Sequence, residues 1–89
     1  MYRVKSVEPL SGFRLAVEFE DGVSGIVDLS GELFGEMFEP LRDEAYFRQV
    51  GIDEFGVVCW PNGADLAPDA LHKAIEDYRR KKASVGTPA

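Results

Sequence analysis

Between Phe13 and Glu20, apolar and polar side chains alternate: Phe13, Leu15, Val17 and Phe19 fall on one side, Arg14, Glu18 and Glu20 on the other. A period of two belongs to a strand with one buried and one wet face. Glu20-Asp21-Gly22 supplies a tight turn in which Gly22 can take positive φ, and Val23 to Leu29 returns as a strand. Residues 13–29 therefore predict a β-hairpin. Ahead of it, Tyr2 to Glu8 reads as a strand closed by Pro9 and Ser11-Gly12. Tyr2 and Val4 share a face while Val7 falls on the other, which calls for a bulge or an edge position, and Arg3 and Lys5 suit an edge.

The period changes after Ser30. Ser30 can cap a short helix carrying Leu33, Phe34, Met37 and Phe38, weakened by Gly31 and Gly35, so one or two irregular turns ended by Pro40 are expected. Asp43 to Val50 predicts a short helix with Asp43 as N-cap and Tyr46, Phe47 and Val50 as its apolar stripe. Val50–Asp53 and Gly56–Trp60 then form a second hairpin about a turn near Gly56, and the unbroken Val57-Val58-Cys59-Trp60 reads as a strand covered on both faces. Pro68 fits the first position of a long helix, Asp69 its first turn and Arg79 to Lys82 its last. Leu71, Ala74, Ile75 and Tyr78 make an apolar face at i, i+3, i+4 and i+7, and Asp69–Lys73, Glu76–Arg80 and Asp77–Lys81 are i, i+4 ion pairs on the wet side.

The fold class that follows is α+β: a small antiparallel sheet of two hairpins plus an N-terminal strand, short helices between the hairpins, and one C-terminal amphipathic helix. Eighty-nine residues hold one core, placed at 1–82 with a C-terminal tail at 83–89. The net charge of −6 is uneven: residues 1–78 carry all 16 Asp and Glu but six of the 10 Lys and Arg, and the rest are the run Arg79-Arg80-Lys81-Lys82. Phosphate binding needs clustered cations, so direct nucleic-acid contact is disfavoured. One cysteine makes no intrachain disulfide, no apolar run reaches membrane-spanning length, and the N-terminus lacks a signal-peptide core. A cytoplasmic location is the expectation.

Phe19-Glu20-Asp21-Gly22, Asp28-Leu29, Leu41 with Phe47, and above all Trp60-Pro61-Asn62-Gly63-Ala64-Asp65-Leu66-Ala67-Pro68-Asp69-Ala70-Leu71 resemble the bacterial domain-of-unknown-function family numbered 2442. The resemblance runs from about Tyr2 to Tyr78. It implies a small α+β domain with a curved antiparallel sheet and short helices. It also implies a domain that in some relatives is joined to a C-terminal helix-turn-helix DNA-binding domain. In other short relatives it is coded beside a second small protein, in an arrangement similar to a toxin–antitoxin pair. No catalytic residues carry over.

Candidate chemistry is thin. A nucleophilic Cys59 needs a base or a helix N-terminus to lower its thiol pKa, and only His72 is at hand, on a helix face that reads as solvated; a small buried hydrophobe is the simpler role. Asp65, Asp69 and His72 have weak metal-ligand spacing, and each has a plainer job: Asp65 bonding its own loop, Asp69 serving the helix dipole, His72 facing water. Neither metal nor cofactor is expected. Carboxylates are plentiful at Glu18, Glu20, Asp21 and Asp28, but acid–base work needs one desolvated carboxyl with a raised pKa, and alternation places Glu18 and Glu20 on a solvated face. Arg79, Arg80, Lys81 and Lys82 form a candidate basic patch for nucleic acid or an acidic partner, or simply offset the helix dipole. Trp60 is either an interface anchor or a core residue wedging the corner, with its indole N–H on a loop carbonyl.

The function expected is a non-catalytic protein-interaction module, possible as one component of a toxin–antitoxin-like pair. Another small protein is the expected partner, a homodimer is an option, and no membrane is involved. The candidate contact residues are Trp60, Asn62, Asp65, Asp69 and His72. The alternatives are a regulatory domain associated with DNA binding and a ligand-sensing domain.

Overall fold

The computed structural model describes residues 2–85, with side chains through residue 79. Strand β1 (Val4–Leu10) pairs antiparallel with β2 (Arg14–Phe19), and β2 with β3 (Ser24–Asp28), giving a sheet of order β1-β2-β3. The register slips between Val4 and Ser6, so the broken alternation of β1 is a bulge, and β1 is also an edge. β1 runs through Pro9 to Leu10, because an edge strand has one side on which a missing N–H breaks no ladder bond. Along β2, Leu15, Val17 and Phe19 are buried, as the alternation requires. Gly22 turns the hairpin with φ +92°, and the Asp21 carboxylate accepts from the Val23 N–H.

No helix follows Ser30. The stretch is irregular up to a 3-10 turn at Glu39–Arg42, and Pro40 lies inside that turn instead of ending the segment, since the first turn of a helix has no use for its N–H. Leu33 and Leu41 enter the core while Phe34 and Met37 do not. Helix α1 (Glu44–Phe47) starts at the expected cap, with the Asp43 carboxylate accepting from the Ala45 N–H.

The second hairpin, β4 (Gly51–Ile52) with β5 (Val58–Cys59), gains a third strand that the sequence pattern did not disclose. Asp65–Leu66 folds back beside β5 as β6, so this half forms a sheet of its own, ordered β4-β5-β6, with β5 in the middle. The two sheets meet where the Val4 N–H donates to the Gly56 carbonyl and the Arg3 guanidinium to the Glu54 carbonyl.

Helix α2 (Pro68–Val85) begins at Pro68 as expected, and residues 86–89 lie outside the described residues. Its packed face differs from the expected one: Leu71, His72 and Ile75 are buried, Ala74 and Tyr78 are exposed. The physical reason is Gly25 of β3. A Cβ there would come within 2.9 Å of the Ile75 side chain, so the bare backbone lets α2 settle with Ile75 against the strand. That rotation turns Tyr78 outward and His72 inward. One core results, with Leu15, Val17 and Phe19 of the first sheet, Leu41, Phe47, Val58 and Trp60 of the second half, and Leu71 and Ile75 of α2. Among the described residues no helix is long and apolar enough to cross a membrane.

Candidate functional site

Trp60 leaves β5 buried to 3% exposure, packs its ring 5.8 Å from Phe47, and donates its indole N–H to the Phe47 carbonyl at 2.9 Å. It is the core wedge of the two readings open from the sequence. The turn after it is closed by backbone bonds from Trp60 N–H to the Ala64 carbonyl and from Gly63 N–H to the Trp60 carbonyl, with Gly63 at φ +93°. Asn62 serves the same turn: its side-chain oxygen accepts from the Ala64 N–H, and its amide donates to the Met37 carbonyl at 2.9 Å. This last bond ties the irregular 30–38 stretch to the corner. Asp65 does not bond its own loop as expected; it sits exposed in β6 opposite Cys59, because the turn is short enough for the chain to re-enter a ladder.

Burial and the carboxylates of Asp53 and Asp65 together push the Cys59 thiol up, which is the reverse of nucleophile activation. Native Cys59 should therefore react with a disulfide reagent at pH 8 at least about tenfold more slowly than the same residue in urea. Equal rates would show an accessible thiol.

His72 requires a correction. It does not face water; it is 2% exposed. Its Nε2 lies 2.9 Å from an Asp21 carboxylate oxygen, its Nδ1 3.1 Å from Glu76, and its ring stacks on Tyr2 with centroids 3.6 Å apart, with Phe19 edge-on at 4.8 Å. Nearby, the Asp69 carboxylate accepts from the Tyr2 backbone N–H at 3.2 Å instead of pairing with Lys73. Glu76 reaches the ring from one turn on, while the side chain of Arg80, its expected partner, lies outside the described residues. The effect is a clasp, in which His72 joins the β2–β3 turn and the N-terminal segment to α2. Its ring nitrogens point in opposite directions, each toward one carboxylate, so the three groups do not converge on a cation. Among the described residues no group of three or more His, Cys, Asp or Glu could hold a metal ion. The signal available in the sequence was Leu71-His72 with Ile75 one turn on, a stripe that includes the histidine; Asp21 and Tyr2 carry no local sign of their role.

The bond to Val23 N–H, then that to His72, hold the Asp21 carboxyl below its ordinary value of 3.8. A depressed folded-state pKa gives stability that is complete above the ordinary value and is lost as pH falls below it. Asp21→Asn should therefore shallow the fall of Tm on acidification below pH 3.8. An unchanged acid limb would show that this turn does not sense pH.

The five candidate contact residues thus divide between corner and clasp: Trp60 and Asn62 build the corner, Asp69 and His72 the clasp, and Asp65 lies on the exposed side of β6. Arg79 of the basic run is exposed; the side chains of Arg80, Lys81 and Lys82 lie outside the described residues. What sequence reasoning passed over is the loop beside the corner. Phe34 and Met37 stand 65% and 44% exposed among Glu32, Glu36 and Glu39, and Glu36, Glu39 and Pro40 line a shallow concavity of about 380 Å³. The loop is fixed from beneath by buried Leu33, by the Arg42 guanidinium on the Leu33 carbonyl at 2.6 Å, and by Gly35 at φ +90°, whose carbonyl accepts from Phe38 and Glu39. An aromatic and a methionine placed among acidic residues are the sign available in the sequence.

No match was found among curated proteins or among solved structures. Residues 4–77, from β1 to the middle of α2, match the family described as proteins of unknown function, DUF2442, and the chain belongs to that family.

Proposed function

We propose that the protein is a non-catalytic protein-interaction module, one half of a two-component bacterial pair of the toxin–antitoxin type. Its partner presents a basic segment carrying apolar side chains. The observation that carries this reading is the loop of Phe34 and Met37: two large apolar side chains held in water on a braced backbone, bordered by three glutamates. Exposed aromatic and methionine side chains favour contact, since Phe and Met are enriched at interfaces, and a braced loop has little ordering entropy left to lose. The glutamates supply charge complementarity and speed encounter with a cationic partner. The residues of enzymatic promise do not gather: Cys59 is held as a thiol and His72 is clasped.

The test is affinity capture from the source cell with the tagged chain, beside the double variant Phe34→Ser/Met37→Ser. The wild type should retain one small basic protein, released as salt rises, and the double variant should retain none of it while melting within about 2 °C of the wild type, as surface changes do. No reproducible partner, or one held equally by both proteins, would overturn the reading.

A further inference from the structure

A second surface, independent of that loop, lies along β3. The Phe19 N–H bonds the Val23 carbonyl and the Leu29 N–H bonds the Phe13 carbonyl. In an antiparallel ladder bonded pairs recur at every second residue. In the register of β2 and β3 this assigns Val17↔Gly25 and Leu15↔Val27 to the bonded pairs. The backbone groups of Ser24, Ile26 and Asp28 consequently point away from β2, along an edge with no strand beside it among the described residues. The sheet's other edge is guarded: β1 carries Lys5, Pro9 and a bulge, and the Val4 N–H is already bonded to Gly56. β3 has an even register and, apart from Asp28 at its end, no charge, no proline and no bulge.

Helix α2 runs alongside this edge in the same direction as β3, with His72 at Asp21, Ile75 at Gly25, and Tyr78 and Arg79 toward Asp28. Between strand and helix lies a groove of about 740 Å³. Its apolar part includes Ile26 and Tyr78, 58% and 64% exposed, and its far end carries Arg14 and Arg79 beside Asp28. In sequence the cationic run continues along α2 as Arg80-Lys81-Lys82.

We propose that this groove takes an extended peptide segment of a partner protein, apolar where it passes Ile26 and Tyr78 and acidic where it meets Arg14 and Arg79. The segment adds to β3 as a fourth strand. Main-chain bonds to Ser24, Ile26 and Asp28 supply affinity, alternate side chains enter the groove, and the cationic end fixes which peptides fit. A second copy of β3 does not fit the same edge. Paired strands lie about 4.8 Å apart, whereas two packed helices need about 8–10 Å, and each copy would bring its own α2 over its own β3.

The test uses labelled hexapeptides of alternating valine and threonine, ending in two glutamates or in two lysines, titrated into the intact chain. Fluorescence polarisation reads binding and amide chemical shifts locate it. The glutamate peptides should bind saturably, at least about tenfold more tightly than the lysine peptides, and more weakly as salt is raised. The amides of Ser24, Ile26 and Asp28 should shift most. Ile26→Pro, which removes an N–H that bonds nothing in the ladder, and separately Arg79→Glu should each weaken binding at least about tenfold with Tm nearly unchanged. If Ile26→Pro unfolds the chain, N-methylation of alternate peptide nitrogens tests the same bonds from the other side. Absence of saturable binding, binding indifferent to N-methylation, concentration-dependent dimerisation through β3, or preference for an oligonucleotide over the acidic peptides would each overturn the proposal.

Discussion

Trp60→Ala lowers the stability of the domain by about 4–6 kcal/mol, a large share of what it has. Removing a buried tryptophan costs about 3–5 kcal/mol in lost transfer energy and cavity. The Phe47 carbonyl, which now accepts the indole N–H at 2.9 Å, loses its partner at a further cost of about 1 kcal/mol. A domain of 89 residues has a total of only about 4–13 kcal/mol to lose. Urea denaturation followed by far-UV circular dichroism checks the result. Trp60→Phe separates the two contributions: it retains most of the ring volume against Phe47 and gives up the hydrogen bond, so it should cost about 1–3 kcal/mol and leave a folded protein. A Trp60→Ala variant as stable as wild type would mean that the corner is not the wedge of the core.

Gly56→Ala costs about 2–5 kcal/mol, well above Gly22→Ala at about 1–2 kcal/mol. Both glycines have positive φ, +76° and +92°, and share the left-handed strain that a Cβ introduces. They differ in surroundings. A Cβ at Gly22 meets nothing within 4 Å, whereas one at Gly56 would come within 2.8 Å of the Arg3 Cβ and 3.0 Å of the Arg3 Cα, which is backbone and cannot swing aside. β1 would have to retreat from the β4–β5 turn, breaking the Val4–Gly56 bond that joins the sheets. Paired thermal melts measure the difference. Equal losses at the two positions would show that the sheets are not in close contact there.

Much of this architecture was written in local patterns. The alternation of Phe13 to Phe19, the Asp-Gly turn, the Asp43 cap and Pro68 at the helix start each act within a few residues, and each element formed where they placed it. Three features were not local. β6 is two residues long and exists because the corner turns tightly enough to return Asp65 to Cys59; no periodicity marks so short a strand. The packed face of α2 is not fixed locally, because helical spacing fits both Leu71-Ala74-Ile75-Tyr78 and Leu71-His72-Ile75, and Gly25, some fifty residues away in sequence, selects the second. His72 read as solvated for the same reason, since its partners Tyr2 and Asp21 come from distant segments.

The site was less legible than the fold. The Trp60–Leu71 stretch attracts attention through its rare residues, and the structure assigns Trp60, Asn62 and Gly63 positions that hold a corner together. Phe34 and Met37 carry no such mark in the sequence, yet they are exposed beside the corner: Asn62 holds the Met37 carbonyl, and a Cβ at Gly63 would touch the Met37 side chain at 3.4 Å. Architecture and exposed surface adjoin there, and the proposed reading gives stability to Trp60 and contact to Phe34 and Met37.

Quantitative capture of the proposed partner by Trp60→Phe and by Phe34→Ser/Met37→Ser, both at a temperature where each is folded, tests that division most directly. The account predicts that Trp60→Phe melts lower yet retains the partner at the wild-type level, while the loop variant melts as the wild type does and retains none. Loss of the partner from folded Trp60→Phe, with full retention by the loop variant, would contradict it.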